Sequence, residues 1–403
     1  MPFRTAISGL RATQADLNVI GNNIANVGTT GFKGSRTEFH DVFATTNVGV
    51  SATATGSGTN TSRVAQQFTQ GNITFTDSGL DLAISGQGFF IVDDDGAQLF
   101  SREGAFGLDR EGFVVNANNQ KLVAFTVDST GAITGSTAPL QISSANTQPQ
   151  ASSTVTLGAN LDSQSAIPLV APFDAADSKT FNNTTATSVF DSLGGTHLMQ
   201  YYFVKTGNGT WNMHTTVDGV SVGAASPIAF GTNGALTTPI TGSVTLPSFT
   251  PAGGGAAMAV DVDLTEMTQF GSPFGVSRLS QDGFTTGRLA GLDIDQNGNV
   301  FGRYTNGQAN LQGQVALANF SNPQGLQSQG KNNWAETFAA GSPLVGAPGT
   351  SSMGLVQAGA LEDSNVDVSE QLVKLIVAQR NFQANTQVIQ TADAVTQAVI
   401  NIR

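Results

Sequence analysis

A few groupings in this chain have residue types that could do chemistry. Asp293-Ile294-Asp295-Gln296-Asn297-Gly298 places oxygen donors at alternate positions, as in the first half of a calcium loop. The twelfth position of such a loop falls on Tyr304, where a bidentate Glu is needed, and no helical pattern flanks it. The segment therefore reads as an Asn-Gly hairpin turn. Asp93-Asp94-Asp95-Gly96 is a second run of carboxylates, and its Asp-Gly ending reads as a solvated turn. His197 and His214 share one β segment with no third ligand at metal spacing, and His40 is remote in sequence. Gly28-Thr29-Thr30-Gly31 and Gly86-Gln87-Gly88 lack the lysine of a phosphate loop. The absence of cysteine removes disulfides, zinc-thiolate sites and thiol nucleophiles together. No motif gathers a convergent set of titratable groups, so the chain reads as a non-enzyme with no catalytic residues, no metal and no cofactor.

Composition sets the class of protein that must hold these residues. At 403 residues the chain has room for two or three domains. Only 11% of residues are charged, and the net charge is -12. No Lys/Arg cluster is present to neutralise phosphates, which argues against nucleic acid and against an anionic membrane surface. No stretch reaches the roughly 20 apolar residues of a membrane span. The start, Met1-Pro2-Phe3-Arg4, lacks the apolar run of a cleaved secretory signal. The expected route is either retention inside the cell or export without cleavage.

The two ends differ from the middle. From Phe3 to Val27, apolar side chains at Phe3, Ile7, Leu10, Leu17, Ile20 and Ile24 follow a helical period. Pro2 suits the first turn, and Gly28 stands where a left-handed helix cap is expected. This helix would be about 37 Å long. At the other end Asp367 and Glu370 have capping-box spacing. Leu372, Leu375, Ile376, Phe382, Ile389 and Ile400 then form one stripe, and Val388, Val395, Val399 and Ile402 a second. No Gly or Pro interrupts residues 366–403, a helix of roughly 55 Å.

Between the ends the pattern is β-like. Asp95-Gly96, Asn208-Gly209, Asp218-Gly219, Asn233-Gly234, Asp282-Gly283, Asn297-Gly298 and Asn306-Gly307 mark tight turns between short apolar runs. The expected fold class is α+β multidomain. Residues 1–27 and 366–403 make a terminal coiled-coil helical domain. Residues 28–70 and 361–365 make a connector, loop-rich with a small-residue tract at Ser51–Ser62. Residues 71–145 and 278–360 make an inner, mainly antiparallel β domain, with residues 150–275 inserted as an outer one.

The energetics of the ends point to assembly. An isolated helix pair is marginal in water because packing supplies most helical stability. Antiparallel pairing buries only part of each stripe, and the remainder needs a neighbour. If the neighbours are identical chains, a head-to-tail contact repeats without closing and builds a helical filament. The ends are then expected to be disordered in the monomer and ordered on assembly. The plainer alternative packs both helices on their own β domain.

Specific motifs sharpen this. Asn22-Asn23-Ile24-Ala25-Asn26-Val27-Gly28-Thr29-Thr30-Gly31-Phe32-Lys33 resembles the N-terminal signature of the flagellar rod and hook protein family. Gly79-Leu80-Asp81-Leu82-Ala83-Ile84-Ser85-Gly86-Gln87-Gly88-Phe89-Phe90 resembles its internal β motif, followed by Phe100-Ser101-Arg102-Glu103-Gly104-Ala105-Phe106. Leu361-Glu362-Asp363-Ser364-Asn365-Val366-Asp367, running into Gln379-Arg380-Asn381-Phe382-Gln383-Ala384-Asn385, is similar to its C-terminal signature. Leu317–Leu326 and Leu157–Ser163 resemble the hook members in particular, and residues 150–275 match least.

The resemblance implies an inner tube of terminal helices around a channel, with β domains projecting outward. It implies a curved hook that joins rod to filament and passes torque. The implied partners are further copies of the chain, the distal rod protein, the hook cap, the hook–filament junction protein and the flagellar type III export apparatus. The implied location is the extracellular part of the flagellum. The other readings are a distal rod or junction subunit, and, from another class, a secreted β-rich adhesin.

Overall fold

The computed structural model describes residues 2–43, 56–128, 130–350 and 352–401. Residues 51–55 of the small-residue tract, the Val399 side chain and Ile402 lie outside the described residues. The architecture is mostly β, with one helix near each terminus. The chain divides into two compact units. One comprises Met1–Ser143, Gly291–Arg303 and Ala309–Arg403; the other comprises Ser144–Ala290 and Tyr304–Gln308.

In the first unit, helix α1 spans Pro2–Ala25 and helix α2 spans Val368–Asn401. Asp367 caps α2: its carboxylate accepts from the Glu370 amide at 3.0 Å. Glu370 itself turns to Lys374 at 2.7 Å, an exposed pair of little energetic weight. The α1 end differs from the sequence expectation. The helix stops at Ala25, and the Asn26 side chain bonds back to the Asn22 carbonyl at 2.9 Å. Gly28 lacks the left-handed backbone, which falls instead on Gly31 with φ of 67°. A side-chain amide satisfies the helix end, and the glycine's freedom is used three residues later.

Two strands follow α1, β1 at Ser35–Asp41 and β2 at Thr59–Gln66, paired antiparallel. Beyond them, strands from the two halves of the chain interleave. Phe89–Asp94 pairs with Ala97–Ser101 and with Leu317–Asn319. Lys121–Val127 pairs with Ala309–Val315. Leu82–Ser85 pairs with Leu355–Ala358, and Ile73–Phe75 with Ala360–Glu362. The core here is aromatic. Phe89, Phe100, Phe320 and Trp334 are buried, and Phe68 stands edge-on to both Phe89 and Trp334 with centroids 5.5 Å away.

The second unit holds a five-stranded and a six-stranded sheet that share one core. Thr154–Asp162 alternates so that Val155, Leu157, Ala159 and Leu161 point inward. Tyr201, Phe203, Trp211 and Met213 meet them from the other sheet. Pairing is antiparallel except along Thr154–Asp162, which runs parallel to Asp261–Asp263 and to Thr268–Phe270.

The helical ends and their anchor

The helices run antiparallel, because the end of α1 meets the start of α2 and the reverse. The Asn23 side-chain amide donates to the Gln371 side chain at 3.3 Å. At the other end a Cβ on Gly9 would stand 2.5 Å from the Asn385 side-chain oxygen, so glycine lets that side chain seat against α1. The same number of residues separates the two contacts along each helix. On α2 the covered positions include Gln371, Leu375, Ala378, Phe382, Asn385, Ile389 and Ala392, with Thr386 half-buried beside Asn385. Thr386 aside, they alternate steps of four and three, the spacing of a coiled-coil seam.

Of the apolar residues singled out on α1, Ile20 is buried, Ile7, Leu10, Leu17 and Ile24 are half-buried, and Phe3 is exposed. That helix has two neighbours, α2 and the β1–β2 ribbon. The Thr59 amide donates to the Ser8 hydroxyl at 3.2 Å. On α2, Leu375, Phe382 and Ile389 are half-buried against α1, whereas Leu372, Ile376 and Val395 are exposed. Val373, Val377, Val388 and Ile400 are exposed as well, so an apolar band on α2 has no cover among the described residues. Gln379 and Arg380 are exposed, and among the described residues no carboxylate lies within ion-pair distance of Arg380.

The motif residues tie the helix ends to the β unit. The buried Asn23 side chain accepts from the Ser35 amide at 2.9 Å and donates to the Ser35 carbonyl at 2.7 Å. Asn365 accepts from the Gly34 amide at 2.8 Å and donates to the Gln67 carbonyl at 2.7 Å. Phe32 is half-buried beside them and Asn22 is exposed, contributing its carbonyl. Gly31 accepts no side chain: besides its positive φ, a Cβ there would stand 2.5 Å from the Glu103 amide nitrogen.

Sequence reasoning did not find the group at the centre of this knot. Glu362 is fully buried and holds two cations, Lys33 at 2.6 Å and Arg102 at 2.9 Å. Lys33 also donates to the Thr69 carbonyl at 2.8 Å, and Arg102 to the Gly86 carbonyl at 2.8 Å. The Gly71 amide donates to the Glu362 carboxylate at 2.8 Å, and the Gly31 amide to the Glu362 carbonyl at 2.7 Å. Burial pulls Lys33 below the ordinary lysine range against the opposing pull of Glu362, and burial lowers Arg102 likewise. The available signal was indirect: Lys33, Arg102 and Glu362 each lie in a different one of the family motifs.

The acidic and histidine groupings take structural places. Asp295 accepts from the Asn297 and Asn299 amides, both at 2.9 Å, and shapes a hairpin turn. Asp95 and Gly96 have φ of 50° and 95°, the turn between paired strands. His40 is exposed, and His214 stacks on Phe173 with centroids 4.0 Å apart.

Terminal helices anchored by a charged knot to strands from both halves of the chain define a nested structural subunit with an uncovered helical face. Known proteins are similar to this chain. Residues 3–33 match the model described as Flagella basal body rod protein, and residues 357–402 the Flagellar basal body rod FlgEFG protein C-terminal model. Residues 83–160 match the Flagellar hook protein FlgE/F/G D1 domain, and residues 160–284 the Flagellar basal body protein FlaE D2 domain. The flagellar hook protein FlgE of Escherichia coli K12 is 39% identical over 412 residues, covering 100% of both chains. That of Rhizobium meliloti is 33% identical, covering 100% of this chain and 98% of its own. The crystal structure of Helicobacter pylori flagellar hook protein FlgE2 shares the fold, with TM-score 0.53 at 14% identity, over 72% of this chain and 100% of that one. The chain belongs to the flagellar hook protein FlgE family.

Proposed function

We infer that this chain is the structural subunit of a bacterial flagellar hook. It polymerises with copies of itself into a curved, flexible tube that passes torque from rod to filament. The single observation that carries this reading is the exposed apolar band on α2, from Leu372 to Ile400. Neighbouring copies cover that band, and each terminal helix pair becomes part of an inner coiled-coil tube. The ends gain their full order only on assembly. On the division read from the sequence, residues 71–145 and 278–360 form an inner domain, with residues 28–70 and 361–365 as connector and residues 150–275 as the outer domain; residues 278–290 and 304–308 pack with the second unit and so go with the outer domain.

A tube that turns while bent must shorten and lengthen each row of subunits once per revolution. Tightly packed helices resist twist, while Ser-, Thr- and Gly-rich outer surfaces slide through water-mediated contacts that exchange easily. The subunit works mechanically, as a non-enzyme. It leaves the cell through the flagellar type III apparatus without cleavage and adds at the tip beneath the hook cap. It meets the distal rod protein at one end and the hook–filament junction protein at the other. Electron microscopy of the concentrated or salted-out chain tests this reading. Curved tubes are expected; straight rods would overturn the hook assignment in favour of a rod subunit.

A further inference from the structure

In the second unit His197 lies between two carboxylates. Its Nδ1 is 2.7 Å from Asp218 Oδ2 and its Nε2 is 3.3 Å from Asp191 Oδ2. A carboxylate can only accept a hydrogen bond, and a neutral imidazole has one N–H to donate. Both contacts are therefore satisfied together only by the doubly protonated ring. The His197 side chain is 7% exposed and that of Asp191 4%, so water does little to replace that contact, whereas the Asp218 side chain is 43% exposed.

These side chains join three separate connections. Asp191 opens the Asp191–Gly195 turn, where its Oδ1 accepts from the Leu193 and Gly195 amides at 2.9 and 2.7 Å. Asp218 opens the turn between Thr210–Val217 and Val220–Ser221 with φ of 51°, and its Oδ1 accepts from the Leu198 amide at 2.9 Å. The segment 251–257 closes over Asp191: a Cβ on Gly255 would stand 2.8 Å from Asp191 Oδ2, and the Ala256 amide donates to Ser192 Oγ at 2.9 Å. That segment carries only Pro, Ala and Gly, so Asp191 and Asp218 are the charged groups that face the ring.

We propose that His197 is a buried imidazolium that locks these three loops together, so that this end of the second unit loosens when the ring loses its proton. Burial alone would lower the His197 pKa, but the hydrogen bonds to Asp218 and Asp191 outweigh it and hold it above the ordinary value. A group whose pKa is raised by folding contributes stability that is complete below its unfolded value. That contribution disappears as pH climbs through the folded value. The two carboxylates act with the opposite sign. His197 holds Asp218 below the ordinary range; for Asp191, burial acts upward but the Gly195 amide and His197 prevail. Their contribution is lost only in acid. The lock is therefore strongest in the window between the carboxylate and imidazole titrations.

The chain has three histidines, which makes the test direct. Imidazole NMR titration of the dilute full-length chain, assigned with His197→Gln, should place His197 above the ordinary imidazole pKa. Hydrogen-exchange protection of the Leu193, Gly195 and Ala256 amides, corrected for the intrinsic pH dependence, should fall about tenfold across that titration. Protection in His197→Gln should be low and independent of pH. If that variant does not fold, Asp218→Asn serves: the His197 pKa and the protection midpoint should move down together. A His197 titration at or below the ordinary value, or protection that ignores it, would overturn the proposal.

Discussion

Glu362→Gln is expected to unfold the first unit under conditions where the parent chain is stable. The substitution leaves Lys33 and Arg102 buried side by side without their shared counter-charge. Removing one member of a buried ionic group costs about 3–5 kcal/mol, because the remaining charge stays desolvated. That is a large part of the 5–15 kcal/mol that typically separates folded from unfolded domains, about the whole of it at the lower end. Lys33→Met should cost less, about 1–3 kcal/mol, since the Arg102–Glu362 pair survives one to one. The two tryptophans report the result separately: Trp334 lies in the core of the first unit and Trp211 in that of the second. Urea unfolding followed in Trp211→Phe and Trp334→Phe backgrounds should show only the Trp334 transition shifted by Glu362→Gln. If that midpoint stays within about 0.5 kcal/mol of the parent, the knot is not what anchors the helices.

The second large effect concerns assembly rather than folding. Ile376→Asp places a carboxylate in the exposed band of α2, at a residue 50% accessible within the chain. Monomer stability should change by no more than about 0.5 kcal/mol, as for other surface positions. If copies cover that band, each subunit added must bury the charge at a cost of several kcal/mol. The concentration at which tubes appear should then rise roughly a hundredfold or more, since about 1.4 kcal/mol is a factor of ten. Sedimentation of the parent and the variant after identical salting-out reads this directly. Assembly of Ile376→Asp at the parent concentration would mean that the band faces something other than a copy. Ala378, only 1% exposed on the opposite side of α2, provides the contrast: Ala378→Leu should disturb the intramolecular pairing of the helices.

The helices were legible because their signals are local. The apolar period, Pro2, and the Asp367–Glu370 spacing each act within one turn or along one face, and the observed α1 and α2 begin where those signals stand. Most Asp-Gly and Asn-Gly turns were legible for the same reason; Asp282-Gly283 was not a hairpin, because Gly283 lacks a positive φ and the strand before it pairs with Thr154–Asp162 instead of with the strand that follows. The α1 terminus was misread because Gly28 and Asn26 compete to close the helix, and a side-chain amide closed it. The seam between the helices was only half visible. Gln371 and Asn385 occupy covered positions, yet as polar residues they fall outside any apolar count, whereas exposed Leu372 and Ile376 were counted together with the seam. The knot was out of reach altogether. Glu362 is separated from Lys33 by 329 residues and from Arg102 by 260, and nothing in a linear pattern pairs charges at that range. The parallel partners of Thr154–Asp162 were hidden likewise, because short β segments carry no mark of direction.

The most direct test of the central inference compares amide hydrogen exchange along α2 in dilute monomer and in assembled tubes. Exchange from Leu372 to Ile400 should be fast in the monomer and slow by orders of magnitude in the tube, while the strands around Trp334 stay protected in both. Equal, strong protection of α2 in the dilute monomer would contradict it, because the helix would then need no second copy to be ordered.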